Sequence, residues 1–362
     1  MVDTVNGNAV DVDNENPGPT GVGRNASAVF GDRIQRSYRL VSACAWATGV
    51  DEQRIGHLAD LMLDLDNADL TSLGGPSGLN ADGAPLQLCV TLTESMPTFR
   101  LIADPASDAV DIRERHARSQ NALTALLIHN RAVGMRAPIT HLMASIGPTC
   151  DAERERFSHG LFWLGAPWDS SGVAVYMDVS MHTQKEGWRI VDGWLPQLKG
   201  SGEKGDIPEV VRAHCKISSA GVEGMDAARF RQKLYLYALR EIPRGLMNDL
   251  LPQLDLFART GCFRMVMGQS SLALDEVVFN VGMDPVSGAV VDSKIDIWIA
   301  GLGIPRKDMT HAIARCCSGL GLQQIDLFEM IRLFDLNYSF LGFGVDKEGR
   351  RRLNIYLKGR PE

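Results

Sequence analysis

The sequence predicts an α+β fold: a closed antiparallel barrel of about ten β-strands surrounded by a ring of α-helices. Three observations predict it. In segments scattered from Leu86 to Leu357, aliphatic residues recur at every second position, with polar, charged or aromatic residues between them; this is the pattern of half-buried strands. Most of these segments come in pairs joined by turn residues, and stretches with helical spacing follow the pairs. Finally, Arg231-Gln232-Lys233-Leu234-Tyr235 gathers two cations and a phenol on one strand face and leaves Phe230, Gln232, Leu234 and Leu236 on the other. Like charges about 7 Å apart repel by about 2 kcal/mol at an effective dielectric of about 20, so this face calls for an anion.

With 362 residues, 45% of them hydrophobic, the chain can bury a sizeable core. Its 37 basic and 44 acidic residues give a net charge of −7, which argues against non-specific nucleic-acid binding. The run Arg350-Arg351-Arg352 reads as a hairpin shoulder with one Arg turned inward. Seven scattered cysteines, including the adjacent Cys316-Cys317, lack zinc-ligand spacing and read as reduced structural thiols. The N-terminus lacks the layout of a secretory signal, and no apolar run approaches the roughly 18 residues of a membrane span. A cytoplasmic protein without a membrane span is expected.

Residues 1 to 28, rich in Asn, Asp, Gly and Pro, read as a flexible leader, and residues 29 to 362 as a single domain. Apolar positions from Asp32 to Leu70 predict helices interrupted near Gly49-Val50. A hairpin from Leu86 to Ala103 turns around Ser95-Met96-Pro97, and a helix follows from about Asp108 to His129. A less regular stretch then reaches Pro167. Beyond it come a strand through Tyr176 and a helical run containing Trp188, Ile190, Val191, Trp194 and Leu198. Next are a strand at Ala213 to Ser218, a turn at Gly221 to Gly224, a strand at Arg229 to Leu239, and a helix from about Gly245 to Ala258. Strands at Val277 to Val281 and Ser293 to Ala300 flank the turn Asp284-Pro285-Val286-Ser287-Gly288. Helical sequence runs from Met309 to Leu333, and Tyr338 to Val345 with Arg351 to Lys358 form a last hairpin.

Closing about ten strands removes exposed edges and turns the polar faces toward one interior. An open sheet, its polar face in water and its apolar face under helices, satisfies the same alternation. The excess of Arg, Lys, Tyr and Trp on the polar faces favours the lined cavity.

Four stretches carry a resemblance to a known family: Asp82-Gly83-Ala84-Pro85-Leu86-Gln87-Leu88, Phe99-Arg100-Leu101, Arg231-x-Lys233-x-Tyr235 and Arg352-Leu353-Asn354-Ile355-Tyr356-Leu357. From about residue 32 onward the chain resembles the aromatic prenyltransferases of the ABBA fold (PT barrel), specifically the dimethylallyltryptophan synthase group of indole prenyltransferases. The resemblance implies an enzyme that moves an allylic prenyl group, dimethylallyl or longer, from its diphosphate to an aromatic acceptor. An indole or tryptophan-derived compound is the expected acceptor, and secondary metabolism the expected setting. Prenyl diphosphate would be the co-substrate, with no required cofactor and no metal, and the protein a monomer or homodimer.

By similarity, Arg100, Arg231, Lys233, Lys294 and Arg352 would hold the diphosphate, because fixed cations stabilise the negative charge that grows as the C–O bond breaks. Tyr176, Tyr235, Trp298 and Tyr356 would shield the allylic cation with their π faces and exclude water. The spacing of Asp60, Asp64, Asp66 and Asp69 reads as an acidic helix end and turn, not as a metal motif.

Two departures from the family pattern stand out. Gln87 occupies the place of a Glu that accepts the indole N–H; an amide accepts that bond but is no base. Asp178, Asp296 or His214 would then take the proton, or the acceptor is not a simple indole. Ala174 stands where the family has a Lys, which removes one cation from the diphosphate grip. Two other readings therefore stay open: a non-catalytic barrel binding an isoprenoid diphosphate or anionic lipid, and a member turned to prenyl diphosphate hydrolysis or cyclisation.

Overall fold

The structure, a computed structural model, describes residues 30–75, 77–80, 82–157, 160–195, 207, 209–239, 277–300, 302–346 and 348–360. The expected leader (residues 1–28) and the expected helix from Gly245 to Ala258 lie outside the described residues.

Spacing of three and four residues brings Phe30, Ile34, Ser37, Val41 and Cys44 onto the buried face of α1 (Phe30–Thr48). The chain breaks at Gly49, where φ is +67°, and α2 (Glu52–Leu63) restarts with the Asp51 side chain accepting from Gln53 N. The acidic run after it has structural partners. Asp64 closes the helix in the left-handed region and meets Arg118, while Asp69 holds the backbone and hydroxyl of Thr71.

The first hairpin, β1 (Leu86–Leu92) and β2 (Thr98–Ala103), leads into α3 (Ile112–His129), whose first turn is capped by Asp111. Two buried ion networks fasten α3 to the barrel. Arg115 Nη2 donates to both oxygens of Asp104 at 2.9 and 2.8 Å, and Arg118 reaches Asp64 and Asp108, each at 2.7 Å.

The stretch expected to be irregular up to Pro167 contains two helices, α4 (Arg136–Ile146) and α5 (Asp151–Arg154), and the strand β3 (Phe162–Pro167). β3 supplies the missing partner of β4 (Val173–Asp178). α6 (Gln184–Trp194) opens with a Thr183/Glu186 capping box, and the short α7 (Glu209–His214) precedes β5 (Cys215–Asp226) and β6 (Arg229–Ala238).

The turn expected at Gly221 to Gly224 is therefore wrong. Those residues are strand, and the chain reverses at Asp226, whose carboxylate accepts from Ala228 N and Arg229 N. Gly221 is there for close approach: a Cβ on it would come within 2.5 Å of Val175 O and 2.6 Å of Tyr176 Cδ1.

β7 (Val277–Met283) and β8 (Val290–Trp298) follow. The single helical run expected from Met309 to Leu333 is two helices, α8 (Arg306–Leu320) and α9 (Leu327–Leu333), separated at Gly321 with φ +68°. β9 (Leu336–Asp346) and β10 (Arg351–Gly359) complete the set.

The strands form one closed barrel in the order β1-β10-β9-β8-β7-β6-β5-β4-β3-β2, every neighbour antiparallel. The open sheet is excluded. The main core lies outside the barrel wall: Leu86, Leu88, Val90, Leu101, Leu353, Ile355 and Leu357 are buried in the apolar cluster that α1 and α2 share, each such side chain contributing about 1.5–3 kcal/mol. The alternate residues point inward. Among the described residues no helix is long and apolar enough to cross a membrane.

Candidate functional site

A cavity of about 480 Å³ occupies the barrel interior, within the size range of small-molecule sites. Its walls are the alternate residues that the outer core leaves facing inward. Gln87, Arg100, Tyr176, Arg231, Lys233, Tyr235, Lys294, Asp296, Arg352 and Tyr356 all line it.

Three expected site residues do not. Asp178 ends β4 and turns its carboxylate to Ser180 N at 2.8 Å. His214 lies in the last turn of α7, because β5 begins only at Cys215 and the strand register does not include it. Trp298, the last residue of β8, pairs with Phe340 in register but stays off the cavity wall.

The cations are bound to carboxylates that sequence reasoning missed. Cross-strand register sets Arg231 opposite Glu223, and Glu223 opposite Ala174. Glu223 accepts a short hydrogen bond from Arg100, and its Oε2 stands 3.2 Å from Arg231 Nη2 and 3.5 Å from Lys233 Nζ. Asp292 takes a short bond from Arg231 and one of 2.9 Å from Arg352 Nη2. Arg100 Nη1 also donates to Tyr176 Oη at 3.3 Å. Lys294 forms a separate pair: its Nζ lies 2.7 Å from Asp296 Oδ2, donates to Tyr356 Oη and sits 5.0 Å above the Tyr356 ring.

Burial opposes charge throughout this wall, so the neighbours decide the ionisation states. Glu223 is desolvated, yet Arg100, Arg231 and Lys233 hold it well below the usual carboxylate range. Asp292 is likewise buried and is held down to about 2 by Lys233, Arg352 and Arg231. Lys233, only 4% exposed, is pulled down to about 7 by burial and by Arg231. Burial pushes the Tyr176, Tyr235 and Tyr356 hydroxyls up, so all three stay neutral phenols.

The aromatic groups form two edge-on pairs. Tyr176 and Tyr235 have centroids 5.6 Å apart at 88°, and Phe340 and Tyr356 6.1 Å apart at 78°. Phe340 and Trp163 add cavity-lining rings beyond those expected.

Gln87, 3% exposed, is held by a loop residue, Asn80. Asn80 Nδ2 donates to Ala84 O and Leu86 O at 2.9 and 3.1 Å, which fixes the orientation of its amide. Asn80 Oδ1 must then accept, and Gln87 Nε2 donates to it at 3.2 Å. Gln87 Oε1 is left as the acceptor on the cavity wall.

Glu223 and Asp292 were missed for different reasons. The glycines around Glu223 suggested a turn, whereas Asp292 continues the alternation of Lys294 and Asp296 by one step and was legible by that rule.

The sequence matches no protein-family model and no curated protein. Solved structures do match the fold. Prenyltransferase PriB aligns with a TM-score of 0.64 at 12% identity, over 92% of this chain and 96% of that one. 5-Dimethylallyltryptophan synthase from Streptomyces coelicolor aligns with a TM-score of 0.62 at 14% identity, over 92% and 98%. AnaPT from Neosartorya fischeri aligns with a TM-score of 0.63 at 14% identity, over 92% and 94%. The Streptomyces protein has also been solved in complex with DMASPP and Trp. At this level of identity the likeness establishes the fold, the ABBA barrel expected from the sequence.

Proposed function

We propose that the protein transfers an allylic prenyl group from a prenyl diphosphate to an aromatic acceptor of the indole class inside its barrel. One observation carries the reading: Arg100, Arg231, Lys233 and Arg352 converge on a cavity wall beside the faces of Tyr176 and Tyr235. The fold shared with the tryptophan prenyltransferases supports it.

In this reading the diphosphate takes the place of carboxylate oxygens around the four cations. The allylic C–O bond breaks, the electron pair leaves with the diphosphate, and the phenol and phenyl faces shield the allylic cation. A carbon of the acceptor ring supplies the electron pair of the new C–C bond, with the ring N–H directed to Gln87 Oε1. The arenium proton then passes to an oxygen of the departed diphosphate or to Asp296, the one expected proton acceptor that reaches the cavity. The side-chain cations supply the charge that draws off the leaving group, so turnover is expected with a chelator present.

Incubation with dimethylallyl diphosphate and L-tryptophan in EDTA, followed by mass spectrometry, tests the reading. A product carrying one added five-carbon unit supports it. Diphosphate release without alkylated tryptophan would point instead to hydrolysis or cyclisation.

Lys233 makes binding depend on pH. In the free protein it loses its proton above about 7, and a bound anion raises that value, so binding takes up a proton. Affinity for dimethylallyl S-thiolodiphosphate is expected to fall as pH rises from about 7 to about 9, by up to about tenfold per pH unit for full uptake of one proton. Calorimetry in buffers of different ionisation enthalpy checks this, and pH-independent affinity over that window would place Lys233 outside the anion seat.

A further inference from the structure

Arg33, Arg36, Lys358 and Asp82 meet beside the last residues of β10, at the end of that strand away from Arg352. Arg33 and Arg36 stand three residues apart on α1, so their side chains are neighbours. The Arg33 guanidinium, in a residue only 8% exposed, lies against the loop before β1. A Cβ on Gly83 would stand 3.6, 3.7 and 3.8 Å from its Nη1, Cζ and Nε, and one on Gly74 3.5 Å from Nη1. Asp82, next to Gly83, takes Lys358 Nζ at 3.2 Å on Oδ2 and Ala84 N at 3.2 Å on Oδ1. Gly359, next to Lys358, packs on Arg36 itself: a Cβ there would run into Arg36 O and stand 3.3 Å from Arg36 Cβ.

Charge and hydrogen bonds are both left unsatisfied at this point. Among the described residues neither guanidinium has a hydrogen-bond acceptor or a carboxylate within ion-pair distance. The Nε of each is enclosed without a partner, and the Nη atoms, likewise unpartnered, are the ones that reach the surface. Three positive charges thus face one negative charge, which Lys358 and the backbone already engage. Burial and the charge of Arg36 lower the Arg33 pKa, against the pull of Asp82. A buried guanidinium without an acceptor is costly, and a second one beside it calls for an anion that can take hydrogen bonds from both.

We propose that Arg33, Arg36 and Lys358 form a second anion site, for a phosphate-class dianion whose oxygens accept the free guanidinium N–H bonds. The site is separate from the barrel cavity and independent of the reaction carried out there. None of its residues lines the cavity, and Lys358 stands six positions beyond Arg352 on β10, about 20 Å at the rise of a strand. The loop that the anion would clamp against α1 carries Gly78 and Leu79 of the cavity wall and Asn80, which orients Gln87. Free phosphate and free diphosphate share the required chemistry.

Calorimetry with inorganic phosphate at fixed ionic strength tests the site. The unmodified protein is expected to bind it, and Arg231→Gln, altered only in the cavity, to bind it equally well. Arg33→Gln and Arg36→Gln should each bind about tenfold more weakly or worse, the scale of a lost hydrogen bond to a charged group. Repeating the titrations with diphosphate in Arg231→Gln and in Arg33→Gln/Arg231→Gln identifies the occupant, which is the anion losing more affinity between the two. In phosphate-free buffer Arg33→Gln should melt no lower than the unmodified protein, because it removes a repulsion and no partner, and it should gain no melting temperature from phosphate. Absence of phosphate binding, or binding unchanged in both α1 variants, would overturn the proposal and assign the guanidiniums to water. A melting temperature lowered by Arg33→Gln in phosphate-free buffer would also overturn it, making Arg33 a structural partner of Asp82.

Discussion

Arg100→Ala is expected to lower the rate of prenyl transfer by about a hundredfold or more, the usual cost of deleting one preorganised group that stabilises charge developing in a transition state. Arg100 lines the cavity on β2 and meets Glu223 on the far side of β3 and β4. The stability cost should be small. Glu223 keeps Arg231 and Lys233 as partners once Arg100 is gone, so no buried carboxylate is left alone. Steady-state rates at saturating co-substrate, alongside a thermal melt, separate the two effects. Full activity in a folded Arg100→Ala variant would remove this residue from the diphosphate seat.

Asp104→Ala should do the opposite and destabilise the fold without touching the cavity. Asp104 closes the barrel end of β2 and accepts both bonds from Arg115, and both side chains are almost fully buried. Removing it takes the counter-charge away from a buried guanidinium, at a cost of about 3–5 kcal/mol. At about 2–4 °C per kcal/mol for a chain of somewhat smaller size, the melting temperature should drop on the order of 10 °C. The double variant Asp104→Leu/Arg115→Met should recover much of this, since it leaves no unpaired charge. A melting temperature unchanged in the single variant would mean that α3 is not fastened to the barrel through this pair.

Strands with one aliphatic and one polar face were legible in the sequence because burial differs on their two sides. The last hairpin, expected at Tyr338 to Val345 and Arg351 to Lys358, is found at Leu336–Asp346 and Arg351–Gly359. β3 was not legible. Its residues Phe162-Trp163-Leu164-Gly165-Ala166-Pro167 are apolar or small on both faces, and Gly165 sits close to its neighbours, where a Cβ would meet Ala174 Cβ at 3.2 Å and touch Tyr176 and Arg100 at 3.4 and 3.5 Å. Single-strand alternation brought Arg231, Lys233 and Tyr235 together, since it depends only on local geometry. It could not supply Glu223, which neutralises them from the neighbouring strand and whose place depends on a register that a single sequence does not display. Asn80 was still less accessible: it lies in a loop, and its hold on Gln87 arises only when Ala84 O and Leu86 O take both of its N–H bonds. His214 illustrates the boundary error, one residue before the strand in which it was expected to lie.

The most direct test is a crystal structure of the protein with dimethylallyl S-thiolodiphosphate. The account predicts the two phosphorus atoms among Arg100, Arg231, Lys233 and Arg352, with Glu223 turned away and the allyl carbons against Tyr176 and Tyr235. A diphosphate bound outside the barrel, or Glu223 still holding Arg100 and Arg231 with the analogue seated elsewhere in the cavity, would contradict it.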